Sequence, residues 1–248
     1  MTDSALAIAG VRNSVCAIMR IFGVARGGRK KGSAQPQFRL GFVGTAWCIS
    51  DGHLLTAHHI LHEGKPRKDG DKFYAFTVPD NGEHAYAFPV IGFPLEDQKN
   101  DFAILEIGPA ATPGQEITPV AVSLARPPDG SPVVTYGFPA PEIKGATLDP
   151  QGNFLGGGKF FLKGHANEGI VAAQYDIGGG WVFEFNVAWH HGESGGPVFQ
   201  LDPFAGFAVM QHYRNIQSPH GVVAGPRRGR SLDVLRSDLA AHGAKLLG

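Results

Sequence analysis

The chain has 248 residues in which 22 Lys and Arg balance 22 Asp and Glu, so no global field marks it for nucleic acid or a membrane surface. Its 43% apolar content can fill a sizeable core, while 35 glycines and 18 prolines exclude a helix-rich architecture. Two cysteines, Cys16 and Cys48, are too few for the disulfide framework of a small secreted protein. The opening Met1-Thr2-Asp3-Ser4 lacks the basic start of a secretory signal, and no run approaches the roughly 18 apolar residues of a membrane span. The expected setting is soluble and cytoplasmic, with neither a membrane nor a nucleic acid as partner.

In chain order, the first ten residues read as a loose arm, and residues 14–21 as a buried strand by their β-branched and apolar content. A loop rich in Gly, Arg and Lys follows over 23–37. Residues 38–50 and 53–57 flank Asp51-Gly52, a dipeptide that supplies the positive-φ positions of a tight hairpin turn. Strands are predicted at 72–78, 85–91 and 102–107, with a turn at Asp80-Asn81-Gly82. The Pro, Gly and Ala content of 108–117 marks a boundary between two β lobes, at about 12–112 and 117–228 within one domain of 1–248.

The second lobe repeats the pattern, with strand candidates at 120–124, 131–137, 158–162, 171–175, 181–186, 196–199, 205–212 and 221–224. Ser231 is a natural N-cap, and Leu232, Val234, Leu235, Leu239 and Leu246 recur at helical spacing, which predicts a C-terminal helix over 231–246. There is no internal repeat and no low-complexity tract.

Chemistry concentrates in three segments. In Gly192-Glu193-Ser194-Gly195-Gly196-Pro197 a serine sits among glycines whose unusual φ and ψ can turn backbone N–H groups toward a developing oxyanion, with Gly192 and Ser194 the natural donors. Alone, this string reads equally well as an ordinary turn. A serine nucleophile also needs a base and a carboxylate that orients the base. Leu55-Thr56-Ala57-His58-His59 supplies histidines at the end of an apolar strand, and Asn100-Asp101-Phe102-Ala103-Ile104-Leu105 places an acid just before another. Taken singly, Asp101 reads as a solvated turn residue.

Together the three segments resemble the chymotrypsin-like serine peptidases, including bacterial relatives of the Htr and glutamyl-endopeptidase types, in residues and in the order His, Asp, Ser. LTAHH is similar to L-T-A-A-H, NDFAIL to N-D-I-A-L-L and GESGGP to G-D-S-G-G-P, over about residues 12–228. The resemblance implies an all-β fold of two six-stranded antiparallel β-barrels with a C-terminal α-helix. It also implies a serine endopeptidase with His59 as base, Asp101 as orienting acid, Ser194 as nucleophile and the Gly192 and Ser194 amides as oxyanion hole. No cofactor or metal is required, and the partner is a protein or peptide substrate.

The sequence departs from the family at three points. His58 stands where a small alanine is usual, so placing the base at His59 depends on register. Ile60 replaces the cysteine whose disulfide clamps the histidine loop in secreted digestive members. Glu193 replaces the aspartate that pairs with a newly cleaved N-terminus in zymogen-activated members, and this leaves Glu193 to face solvent or a cation.

In the same fold the pocket walls are expected from Ala188 to His191, including Trp189, and from Gln211 to Arg214. Met210-Gln211-His212-Tyr213 is similar to stretches in which glutamyl endopeptidases and certain viral proteases use a histidine to bind a P1 glutamate or glutamine. His212 is therefore the candidate P1 reader, with Gln211, Tyr213, Trp189 and His191 as further wall residues. Trp189 stands where members with acidic or Gln P1 carry Ser or Thr.

Other signals read as bland. His58, His59 and His62 suggest a metal site, but neighbouring histidines on an extended strand face opposite ways. The basic cluster Arg26, Arg29, Lys30 and Lys31 reads as a solvated loop, and Gly156-Gly157-Gly158-Lys159 lacks the context of a phosphate loop. Two alternatives remain open: a latent protease released by a partner or by processing in the basic loop, and a non-cleaving peptide-binding module on the same fold.

Overall fold

The computed structural model describes residues 8–24, 37–79, 84–188, 190–218 and 221–247, with the backbone alone over 213–218 and 221–224. The predicted arm at 1–7, most of the 23–37 loop with its basic cluster, the turn at 80–82, Trp189 and the side chain of Tyr213 lie outside the described residues.

Strands β1 (Val15–Val24), β2 (Gln37–Ser50), β3 (His53–Thr56), β4 (Lys72–Thr77), β5 (Tyr86–Asp97) and β6 (Phe102–Ile107) close an antiparallel barrel in the order β1-β2-β3-β6-β5-β4. The Asp51-Gly52 hairpin forms as predicted, with Ser50 paired to His53 and Gly52 at φ 78. β5 runs six residues past its predicted end because bulges at Gly92 and before Leu95 absorb Gly92 and Pro94 without breaking the pairing to β6.

The second half contributes β7 (Val122–Ser123), β8 (Pro132–Gly137), β9 (Glu142–Gly145), β10 (Lys159–Phe161), β11 (His165–Asp176), β12 (Trp181–Phe185), β13 (Pro197–Leu201), β14 (Phe204–Ser218), β15 (Gly221–Ser231) and β16 (Leu246–Leu247). β13, β8, β11, β12, β15 and β14 form a second six-stranded ring that closes through the β13–β14 pairing. β7 lies parallel to β14 and β16 on the outside of that ring. The fold is thus the expected pair of six-stranded antiparallel barrels.

The β9–β10 hairpin stands apart and docks on the first barrel. Phe160 packs on Phe42 and Phe76, with ring centroids 5.9 and 5.1 Å away. Phe154 packs on Tyr74 at 5.7 Å and donates its backbone N–H to the Tyr74 hydroxyl at 3.0 Å.

The C-terminal helix is shorter than the predicted 231–246. Ser231 does cap it, accepting from the Asp233 N–H, and a 3₁₀ turn (Leu232–Leu235) leads into an α-helix (Arg236–Ala241). Gly243, at φ 75, ends it in a left-handed cap, so Leu246 pairs with Val122 as strand instead of continuing the helical face.

The barrels share a core in which Trp47 of β2 packs edge-on against Phe199 of β13, with centroids 6.2 Å apart. Gly206 is required opposite it, since a Cβ there would lie 2.5 Å from the indole.

Among the described residues of the first barrel, Arg20 and Asp71 form a buried ion pair. Arg20, only 1% exposed, ion-pairs with Asp71 at 2.5 Å and donates to the carbonyls of Glu63, Lys65 and Pro66. It therefore pins the loop that follows the histidine segment. Arg20→Met keeps the apolar stem but strands Asp71 and three carbonyls, so it should cost about 3–5 kcal/mol. Urea unfolding of the variant checks this; a midpoint within error of the parent would contradict it.

Candidate active site

The histidine segment is a 3₁₀ turn (His58–His62) entered from the end of β3, rather than the extended strand assumed from sequence. The turn sends neighbouring histidines to different partners. The His59 backbone N–H donates to Asp101 Oδ1 at 2.8 Å, and His59 Nδ1 meets Asp101 Oδ2 at 2.8 Å. This bidentate arrangement makes His59, not His58, the partner of the acid. His58 and His62 stack with ring centroids 4.8 Å apart, and His58 Nε2 lies 3.9 Å from Glu96 Oε2.

The donor atoms of His58, His62 and Glu96 all fall within 4.8 Å of one another, which the sequence did not foresee. Arg67 already occupies this cluster. Its Nη2 holds Glu96 Oε1 at 2.5 Å, and its backbone N–H donates to His62 Nδ1, leaving the proton on Nε2, the other ring nitrogen. Burial, then the charges of His58 and Arg67, push the His62 pKa below its ordinary value.

Asp101 opens β6 in a left-handed conformation, φ 59, which aspartate tolerates better than most residues. Its backbone is held from the other barrel. Gln211 on β14, 5% exposed, donates its side-chain amide to the Asn100 carbonyl at 2.8 Å and the Asp101 carbonyl at 3.0 Å. Gln211 therefore turns its main chain toward the nucleophile: its carbonyl accepts the Ser194 hydroxyl at 3.4 Å. Among the described residues no hydrogen bond joins Ser194 Oγ to His59, a looseness common in unliganded sites.

The nucleophile loop is fixed by close backbone approach. Gly195 has φ 86, and a Cβ there would lie 2.1 Å from Thr56 Oγ1. Its N–H donates to Met210 O at 2.7 Å, while Met210 N–H donates to Gly196 O at 2.8 Å. Thr45 of β2 is the other clamp, donating N–H to Ser194 O and Oγ1–H to Gly192 O, both at 2.8 Å. Gly192, at φ 103, has no room for a side chain beneath Phe138 O. Among the described residues neither the Gly192 nor the Ser194 N–H meets an acceptor, whereas the Glu193 N–H goes to His190 O at 3.2 Å. Two unpaired donors thus flank one hydroxyl.

Of the two settings expected for Glu193, burial overturns solvent, while Arg227 supplies a nearby cation. Glu193 is 4% exposed and accepts from the His190 N–H at 2.5 Å and from Asn167 Nδ2 at 3.3 Å. Burial raises its pKa above the usual carboxylate range, opposed by those hydrogen bonds and by the charges of His190 and Arg227.

Of the proposed pocket wall, His191 is exposed and its carbonyl accepts the Ala140 N–H at 2.8 Å. His212 is exposed along one side, but loss of hydration on the other holds its pKa below the ordinary value against the pull of Asp101. Sequence reasoning missed Thr45 as a clamp and the side-chain role of Gln211. A threonine in an apolar strand and a glutamine beside a pocket histidine carry no signal of their own.

A double barrel with His59, Asp101 and Ser194 at its seam is the architecture of a serine endopeptidase. The trypsin-like peptidase domain model matches residues 44–203, and the chain belongs to that family. No curated protein matches by sequence.

Among solved structures, the HtrA-type protease AlgW with a decapeptide superposes with a TM-score of 0.63 at 15% identity, covering 97% of this chain and 68% of that one. Deg5 gives 0.60 at 15% identity, covering 99% and 96%. The active form of the Rv3671c protease from M. tuberculosis gives 0.55 at 19%, covering 98% and 86%. Among the described residues no helix is long and apolar enough to cross a membrane.

The raised pKa of Glu193 has a stability consequence. The folded state holds this proton more tightly than the unfolded chain, so the group's contribution is fully present below the unfolded value of about 4.3 and is lost as pH rises through the folded value. Glu193→Gln should remove that loss, so its unfolding free energy relative to wild type should improve as pH rises above about 4.3 and level off once the folded value is passed. Parallel urea titrations from about pH 4 to 7 that stay offset by a constant would contradict it.

Proposed function

We propose that the chain cleaves peptide bonds by acyl transfer, with Ser194 as nucleophile, His59 as general base and Asp101 as the acid that orients it. The carrying observation is the paired hold of Asp101 on His59. With Nδ1–H donated to the carboxylate, Nε2 keeps its lone pair and can take the Ser194 proton. As the hydroxyl attacks, negative charge grows on the substrate carbonyl oxygen, where the free Gly192 and Ser194 N–H groups can receive it. His59 then returns the proton to the leaving amine, and water releases the acyl group. Asp101 remains ionised throughout.

The residue on the acyl side of the scissile bond is, in this reading, Glu or Gln, bound by His212. Its depressed pKa keeps the ring neutral near pH 7, so one N–H can donate to a side-chain amide or carboxylate. His191 and the Gln211 main chain complete the wall in this reading.

A second reading is favoured by one observation, the Ser194 hydroxyl lying on Gln211 O. In it the enzyme rests in a latent state, and bound peptide or an activating protein swings the hydroxyl to His59. Labelling by a fluorophosphonate with and without added peptide separates the two.

Incubating a diverse peptide library with the purified chain, beside Ser194→Ala, tests the chemistry: the variant should lose roughly 10⁶-fold of the rate and all detectable products. His212→Ala should lower kcat/KM for Glu and Gln peptides about 10-fold to 100-fold, the worth of one hydrogen bond to a charged or polar group. Equal cleavage after Phe, Lys and Glu by the wild type would remove the specificity reading.

A further inference from the structure

The catalytic acid sits on one barrel and the nucleophile on the other, so something must keep them in register. We infer that Gln211 is a positioning residue that fixes Asp101, and through it His59, from across the seam; this rests on the triad assignment above.

Three observations carry the inference. First, Asp101 has a left-handed backbone, φ 59, and such a conformation in a side-chain-bearing residue persists only when its surroundings over-determine it. Second, the Gln211 amide supplies that determination. Its two N–H bonds, 2.8 and 3.0 Å, end on the consecutive carbonyls of Asn100 and Asp101, so both peptide planes around the strained residue are held by one group. Third, Gln211 belongs to the strand that fixes the nucleophile. Its own carbonyl accepts from Ser194 Oγ, and the preceding residue, Met210, exchanges two backbone hydrogen bonds with Gly195 and Gly196. One residue therefore touches the nucleophile through its main chain and the acid's peptide through its side chain.

The chemistry demands an amide here. Two carbonyl oxygens facing one buried side chain require two donors and no acceptor, which a primary amide nitrogen supplies without charge. A carboxylate would repel both carbonyls, and an apolar chain would leave them bare. The consequence falls on catalysis, since the Asp101 carboxylate must meet both the N–H and Nδ1 of His59 at 2.8 Å. Displacing it by about 1 Å is enough to cost about 10²-fold in rate.

The test is Gln211→Met, which keeps length and apolar stem but removes both donors. Against the peptide cut best by wild type, kcat should fall about 10-fold to 100-fold with KM nearly unchanged, because the substrate is not touched. The acid limb of the kcat/KM profile should move to lower pH as the carboxylate slackens its hold on the imidazole. Independently of turnover, the downfield proton resonance of His59 Nδ1–H, identified by its loss in Asp101→Asn, should move upfield in the methionine variant.

A raised KM with unchanged kcat, acid limb and resonance would overturn the inference and make Gln211 a substrate contact. If the wild type cleaves nothing, the protease reading fails by itself, and the resonance still decides whether Gln211 positions the pair. Should the methionine variant fail to fold, Gln211→Asn keeps the amide one methylene short. It should show the same changes in smaller measure, and an unaltered resonance there would equally refute the role.

Discussion

The buried hydroxyl of Thr45 is the contact on which the site depends. This residue is fully buried in β2 of the first barrel, yet its hydroxyl and backbone N–H donate to Gly192 O and Ser194 O of the second. The same hydroxyl oxygen accepts the Phe138 N–H at 3.3 Å, and the Thr45 carbonyl accepts from Thr56, three residues before His59. Four segments thus meet on one residue. In a water-free seam each of these groups would be costly to leave unpaired, so the barrels have one favourable register. Among the described residues the Gly192 and Ser194 N–H groups, in the loop these contacts hold, meet no acceptor.

Charge in the molecule is handled by enclosure. Glu193 is held by the His190 N–H and Asn167 Nδ2. The loop around Ser194 is therefore braced from the second barrel as well as from Thr45 of the first. The same logic governs Arg20, which satisfies Asp71 and three carbonyls from inside the first barrel. Both groups order loops that border the cleft while standing outside it.

What the sequence made legible was whatever depends on local chemistry. Asp51-Gly52 announced its hairpin because few dipeptides accept those dihedrals, and Ser231 announced its cap through the next turn's orphan N–H. The three motifs located His59, Asp101 and Ser194 because each is a short string at a strand end. What stayed hidden depends on pairing at long range. β11 begins at His165, in a stretch poor in β-branched residues, because β8 lends it a partner. Leu246 fits a helical pattern and becomes strand because Gly243 ends the helix and β7 offers it a pairing edge. Gln211 looked like a pocket residue by its neighbours, and only the fold revealed that its amide faces Asn100 and Asp101. Glu193 likewise went from surface to interior once the loop closed over it.

The division of the chain between the barrels also sets a timetable. The first ring uses only strands between Val15 and Ile107, so its closure needs nothing that leaves the ribosome later. His59 and Asp101 belong to that half, while Gln211, Ser194 and the loop around it all come from the second. A nascent chain therefore carries His59 and Asp101 before it has Ser194, and before it has the Gln211 amide that holds the peptides around Asp101. The cleft between the rings is therefore completed only when β13 and β14 are in place, late in synthesis.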